Sequence, residues 1–345
     1  MVLKTKYSID AFVVSAFLLG EIGDHEVAVS TNLRMTSFCD SSVYTWPKDE
    51  IDGGTEFQGV LVFDDDTDQT GLNSHFKIQD GDIFESDIGG SLCLGSPKHF
   101  KETLFSLKGI YNPLKISFWF DLTVNTYDLA IDENQQTGVV IFGGDDPDRF
   151  FQGTETRFVI LTSSSEPSVG PRGWLTAEPV ILRTADSSIS HAALALFDIE
   201  STITFVPQNV YAAIVGNLKP LIRDQLQHIA KLPPDLVGLV NDFAGPSPEE
   251  NIFDCKNIKY LNSFKLGELL IHRDMLYDRT PEGQCHLRIA PLPDEYPNIF
   301  LVGFHLMKQF YVLVEMDTPD GSYLEFSRRK GVNPNRPIKN DCSIC

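Results

Sequence analysis

The chain has 345 residues, enough to bury a large core and to fill two domains or lobes. Hydrophobic residues make up 42% and charged residues 22%, a balance that excludes a disordered polypeptide. With 48 Asp and Glu against 28 Lys and Arg, the formal net charge is -20, and a polyanion repels phosphate backbones, so nucleic acid is excluded as a natural partner.

Phe is common at 24, and 25 Gly with 20 Pro imply many turns between apolar runs, a bias toward sheet. Residues 7–38 read as strands broken by a turn at Gly20-Glu21-Ile22-Gly23-Asp24-His25. The second of these runs, Glu26-Val27-Ala28-Val29, ends in Ser30-Thr31-Asn32. Ala11 to Gly20 has the length of a signal-peptide apolar region, but Asp10 at its edge and the lack of a small-x-small cleavage site favour a strand. It is too short to span a bilayer. Residues 40–58 are polar and turn-rich. Gly59-Val60-Leu61-Val62-Phe63 is a strand followed by the acidic turn Asp64-Asp65-Asp66-Thr67-Asp68, read as a solvated loop of a very acidic chain and not as a calcium site.

Gly89-Gly90-Ser91-Leu92-Cys93-Leu94-Gly95 leads into an expected helix, with Pro97 near its start and Phe100, Leu104, Phe105 and Leu107 on its apolar face. Strands follow at Lys115–Phe120, Gly138–Phe142 and Arg157–Thr162. Ser163–Gly173, rich in Ser, Pro and Gly, reads as a linker. Beyond it short strands resume at Trp174–Leu182, helical patches occupy Gln208–Gly216 and Leu218–Ala230, and strands continue to Phe326. Strands so closely spaced predict an all-β fold.

The stretch Ala193 to Pro207 carries the chemistry. An apolar run delivers Asp198 into a turn with the hydroxyls of Ser201 and Thr202, and a second run leaves toward Pro207, which can open a helix. Two readings stand at this point: a buried acid presented at a strand end, or a plain hairpin whose turn holds an Asp. The halves echo each other, Val27-Ala28-Val29 before Ser30 matching Leu194-Ala195-Leu196-Phe197 before Asp198, and Ser91–Gly95 matching Phe300–Gly303. That pattern predicts a duplicated lobe with one acid-presenting loop in each.

Of the six cysteines, Cys255 and Cys285 flank a strand-turn-strand pattern and can close one loop, whereas Cys39 and Cys93 look solitary. No N-x-S/T sequon occurs. Arg328, Arg329, Lys330, Arg336 and Lys339 lead into Cys342-Ser343-Ile344-Cys345, which has a C-a-a-X shape; a frayed terminus or a Cys342 to Cys345 pairing is favoured over prenylation at Cys342.

Over roughly residues 7–328 the order and spacing of these pieces resemble the pepsin-like aspartic proteases. Gly138–Phe150 (GVVIFGGDDPDRF), followed by Gly153 and Thr156-Arg157-Phe158-Val159, is similar to the family's G-x-[L/I]-x-F-G-G-x-D-P run into the strand that crosses between lobes. Phe300–Tyr311 (FLVGFHLMKQFY) resembles its W-I-L-G-D-x-F-[L/I]-R-x-Y-Y segment. Asp198-Ile199-Glu200-Ser201-Thr202 with Pro207 takes the place of the second D-T-G-[T/S]-S…P loop, and Cys255 and Cys285 fall where the family's second-lobe disulfide does.

The resemblance implies two β-barrel-like lobes with a few short helices: a first lobe over 1–162, a linker at 163–173, a second lobe over 174–328 and a basic tail at 329–345. Family members use one Asp from each lobe, and neither a metal nor another cofactor, to activate water against a peptide carbonyl. Two carboxylates about 3 Å apart cannot both ionise, so one serves as base and the other as proton donor. Here Ser30-Thr31-Asn32 is expected where the first D-T-G stands, Ser30 replacing the acid, and Asn32 and Glu200 replace glycines of the active-site turns. The flap resembles Ile51–Gly59, with Gly53 at or near its tyrosine. Asp66-Thr67-Asp68 resembles D-T-G by letters only, since the strand before it fits the one after the flap, and Asp198 with Glu200 would have to converge from a single turn. The expectation is therefore a bilobal family member that has lost catalysis, Asp198 being its remaining acid, with an inter-lobe cleft that binds an extended peptide or protein segment. The alternative is an active endopeptidase with altered catalytic residues. The resemblance further implies a monomer without a transmembrane segment, in a secretory, extracellular or lysosomal setting.

Overall fold

The computed structural model describes residues 2–7, 12–22, 25–36, 43–46, 56–63, 71–80, 88–94, 114–120, 138–161, 174–184, 189–199, 201, 203–216, 252–279, 283–292 and 299–330. In chain order the first half supplies β1 (Val2–Tyr7), β2 (Phe12–Ile22), β3 (His25–Thr36), β4 (Val43–Trp46), β5 (Glu56–Phe63), β6 (Gly71–Asp80), β7 (Ile88–Cys93), β8 (Leu114–Phe120) and β9 (Gly138–Phe142). The second half supplies β10 (Thr156–Ile160), β11 (Trp174–Leu175), β12 (Val180–Thr184), β13 (Ser190–Asp198), β14 (Thr204–Val206), helix α1 (Gln208–Val215), β15 (Ile252–Phe253), β16 (Phe264–Leu266), β17 (Leu269–Ile271), β18 (Tyr277–Arg279), β19 (Cys285–Leu287), β20 (Ile289–Pro291), β21 (Ile299–Gly303), the single turn α2 (Phe304–Met307), β22 (Tyr311–Thr318) and β23 (Gly321–Ser327). The all-β expectation holds, and the described part of the Ala11–Gly20 run, from Phe12 on, falls on a strand. The expected helices after Pro97 and at Leu218–Ala230 and the linker Ser163–Gly173 lie outside the described residues.

The two halves meet in one sheet. Its strands run β10-β23-β22-β8-β9-β1 before continuing through β2, β3, β7, β4, β6 and β5. At the middle β22 and β8 pair antiparallel, Val312 opposite Phe118 and Val314 opposite Ile116. Outward from that seam the order is the same on both sides, β23 then β10 and β9 then β1. A pseudo-twofold axis through the β22/β8 seam therefore relates the halves. Strand β8 shows why these residues sit there: Ile116, Phe118 and Phe120 are fully buried at alternate positions, as the two-residue period of a strand requires.

A second sheet, β17-β16-β12-β13-β21-β14-β20 with β11 on β13, and a three-stranded sheet, β15-β19-β18, complete the second lobe. The core links both sheets through aromatic rings. Phe118 stacks on Trp174 at 6.2 Å between centroids, Phe120 meets Phe304 edge-on at 4.7 Å, and Phe197 lies 5.3 Å from Phe158 and 5.2 Å from Phe326. Each such ring taken out of water contributes about 2–3 kcal/mol. Cys255 and Cys285 form the expected disulfide, Cα atoms 5.1 Å apart, and it ties the start of a short helical turn to β19.

The Gly138–Phe150 motif acts as a junction. Gly143 follows β9 at φ 82°, a conformation glycine adopts without steric cost, and the chain turns into Asp145-Asp146-Pro147. The Tyr311 hydroxyl, at the start of β22, donates to Ser117 Oγ at 2.8 Å and accepts from the Asp146 backbone N–H at 2.7 Å. One phenol thus joins the central strands of both halves to this turn. The basic tail is anchored where it begins: Arg329 is buried, bridges Phe150, and donates to the Lys308 carbonyl at 2.9 Å.

Candidate functional site

Asp198 is the last residue of β13, and its surroundings settle which of the two sequence readings applies. β13 does not form a hairpin with β14. It runs parallel to β21, with Leu196 opposite Leu301 and Asp198 opposite Gly303, while β14 pairs with the other edge of β21 through Phe205 and Leu301. The connection from Asp198 to Thr204 therefore wraps over the end of β21, and the hairpin reading is corrected. A hairpin turn would leave its acid in water. This one has only 1% of its surface exposed, and burying a carboxylate is costly enough that such a position is not an ordinary turn site.

Three contacts hold the loop. The Gly303 N–H donates to Thr204 Oγ1 at 3.1 Å, the Phe304 N–H to the Ser201 carbonyl at 2.6 Å, and Ser201 Oγ to the Ile203 carbonyl at 2.8 Å. Gly303 is required by space: a Cβ there would lie 2.3 Å from the Ile203 carbonyl oxygen and 2.7 Å from that of Ser201. Ile199, Ile203, Phe205 and Val206 are buried around the loop, so the position of Asp198 is fixed by packing as well as by hydrogen bonds. Glu200, Thr202 and the flap residue Gly53 lie outside the described residues.

In the first half the same motif is built from other residues than the sequence suggested. β3 runs parallel to β7 with Thr36 opposite Cys93, β4 takes the other edge of β7 with Val43 opposite Ser91, and β4 is parallel to β6 as β14 is to β20. Ser30, Thr31 and Asn32 are not in a turn. They lie inside β3, opposite Phe17, Ala16 and Ser15 of β2, and the strand continues to Thr36. The expectation that Ser30 ends the strand is thereby corrected. Its apolar run stops at Val29, but the backbone ladders to β2 and β7 carry the strand through polar Ser30, Thr31, Asn32 and Arg34 to buried Met35.

A second constellation was not foreseen. On β18, Asp278 gathers two cations and an imidazole: Arg288 Nε at 2.9 Å, Lys308 Nζ at 3.7 Å and His305 Nδ1 at 3.2 Å. His305 also lies with Nε2 3.1 Å from the Met275 carbonyl, and His286 is buried nearby. Burial alone would raise the Asp278 carboxyl, but His305, Lys308 and Arg288 outweigh it and hold it well below the usual range. Burial drives His305 down to about 4 and His286 down to about 3, the neighbouring Arg288 acting in the same sense on both. Lys308 is lowered by burial as well, against the pull of Asp278. The Asp278 carboxylate thus faces the charges of Arg288 and Lys308, and the group serves as a clamp between β18 and the turn α2 that follows Gly303. Its members are scattered over thirty residues, and no local spacing announces them. Among the described residues no three His, Cys, Asp or Glu side chains gather as a metal site, and no helix is long and apolar enough to cross a membrane.

Two lobes of strands sharing a central antiparallel sheet, each with a strand end wrapped over a parallel neighbour, define the pepsin-like fold. Among solved structures the chain is similar to the aspartic proteinase from Irpex lacteus, with a TM-score of 0.62 and 12% identity, over 96% of this chain and 97% of that one. At that identity the likeness is one of fold. No family model and no curated protein matches the sequence.

Proposed function

We propose that this chain is a pepsin-like protein that has lost peptide hydrolysis, with a first lobe over 1–162 and a second over 174–328, whose inter-lobe cleft binds an extended peptide or protein segment. The observation that carries the reading is that one half presents a buried acid, Asp198, while neither Ser30 nor Thr36 in the other half is an acid. Water activation in this fold needs one carboxylate to take a proton while a second gives one. A hydroxyl does neither at ordinary pH without a positioned base. Loss of one member of an acid-base pair removes about 10²–10⁴ in rate. A cleft between two sheets can still hold an extended chain by strand-like backbone pairing.

The test is cleavage of a peptide library from acidic to neutral pH by the purified chain and by Asp198→Ala. No cleavage by either, with retention of library members on the unchanged protein, is the expected result. Cleavage that disappears in Asp198→Ala would establish the altered endopeptidase instead. Absence of both cleavage and retention would end the peptide-binding part of the proposal.

A further inference from the structure

We infer that Thr36 holds the position in the first half that Asp198 holds in the second, so that a threonine stands at the place of a second acid. The inference rests on reading Asp198 as the second-lobe acid position and goes beyond it by assigning its counterpart from strand register. Leu301 of β21 lies between Leu196 of β13 and Phe205 of β14; Ser91 of β7 lies in the same way between Arg34 of β3 and Val43 of β4. Matching Leu196 to Arg34 and Leu301 to Ser91 puts Asp198 on Thr36 and Gly303 on Cys93. The spans that follow are equal, Asp198 to Phe205 and Thr36 to Val43, so the two motifs superpose without insertion.

Burial supports the same register. Phe197 and Met35, one residue before the strand ends, are both fully buried, and Phe304 and Leu94, one residue after Gly303 and Cys93, are buried as well. The axis through the β22/β8 seam carries one motif onto the other. In chain order β21 and α2 precede β22 as β7 precedes β8, so each motif comes before its own seam strand. Equivalent points lie at equal distances from a twofold axis, and by this register Thr36 is the equivalent of Asp198. Ser30, six residues further back along β3, is not.

The experiment compares two cysteine pairs, Thr36→Cys with Asp198→Cys and Ser30→Cys with Asp198→Cys, treated with a short bifunctional thiol reagent and read by peptide mass mapping. The first pair should cross-link and the second should not. Cross-linking of the second pair alone, or of neither, overturns the assignment. Carboxyl NMR titration gives a readout independent of cysteine: in Thr36→Asp two acids share one site, and the Asp198 signal should titrate as half of a coupled pair, displaced by about one pH unit or more from the unchanged chain. In Ser30→Asp it should not move. An unmoved Asp198 signal in a folded Thr36→Asp protein overturns the assignment. Cleavage by the unchanged chain would defeat the loss of hydrolysis but leave the cross-linking result standing, so the two ideas fail separately.

Discussion

Acidification should loosen the second lobe through the clamp around Asp278, and the magnitude follows from His305. Unfolded, this imidazole takes up its proton near 6.5; folded, burial and the neighbouring Lys308 and Arg288 delay uptake to about 4, although Asp278 pulls the other way. A depressed histidine leaves the folded state with fewer protons than the unfolded one. Its contribution to stability is therefore intact above pH 6.5, declines as pH falls toward about 4, and stays lost below that. The gap corresponds to about 3 kcal/mol, at about 1.4 kcal/mol per pH unit. His286, held down to about 3 in the same clamp, acts in the same direction. Against a total stability of about 5–15 kcal/mol such a loss is large. Urea unfolding of the chain and of His305→Gln across this window checks it. The unchanged chain should lose about 3 kcal/mol more than the variant between neutral pH and pH about 4. Parallel loss in the two proteins would refute the argument.

Two other changes have expected outcomes. Gly303→Ala drives a methyl into the Ile203 and Ser201 carbonyls and should cost about 3 kcal/mol or more, read as a drop in urea midpoint, with Asp198 displaced from its strand end. Tyr311→Phe removes the phenol that serves Ser117 Oγ and the Asp146 N–H; the expected loss is about 1–3 kcal/mol by thermal or urea unfolding, with faster amide exchange in the turn after Gly143.

Much of the fold was legible from local signals. Apolar runs marked β2, β5, β8, β9 and β13 because a strand's residues are chosen by the face they bury, and that choice repeats every second position. The Cys255 to Cys285 pairing was legible as well, because a covalent tie leaves its residue types in the sequence. Asp198 stood out as an acid at the end of an apolar run. What failed was the matching position in the first half. Ser30 follows Val27-Ala28-Val29 as Asp198 follows its own run, yet β3 continues past it, because the ladder to β2 pairs its backbone there and the ladder to β7 joins from Asn32, regardless of side-chain polarity.

The sequence by itself determined that the chain is a mainly β protein of two similar halves and that Asp198 ends a strand in the second. Only the tertiary structure decided that Asp198 lies against β21, that Thr36 ends the corresponding strand, and that Asp278, His286, Arg288, His305 and Lys308 form one buried group. The physical reason is range. Strand character and turns depend on residues within a few positions of each other, whereas strand ends and buried charges are set by partners that become neighbours only once the sheets have assembled.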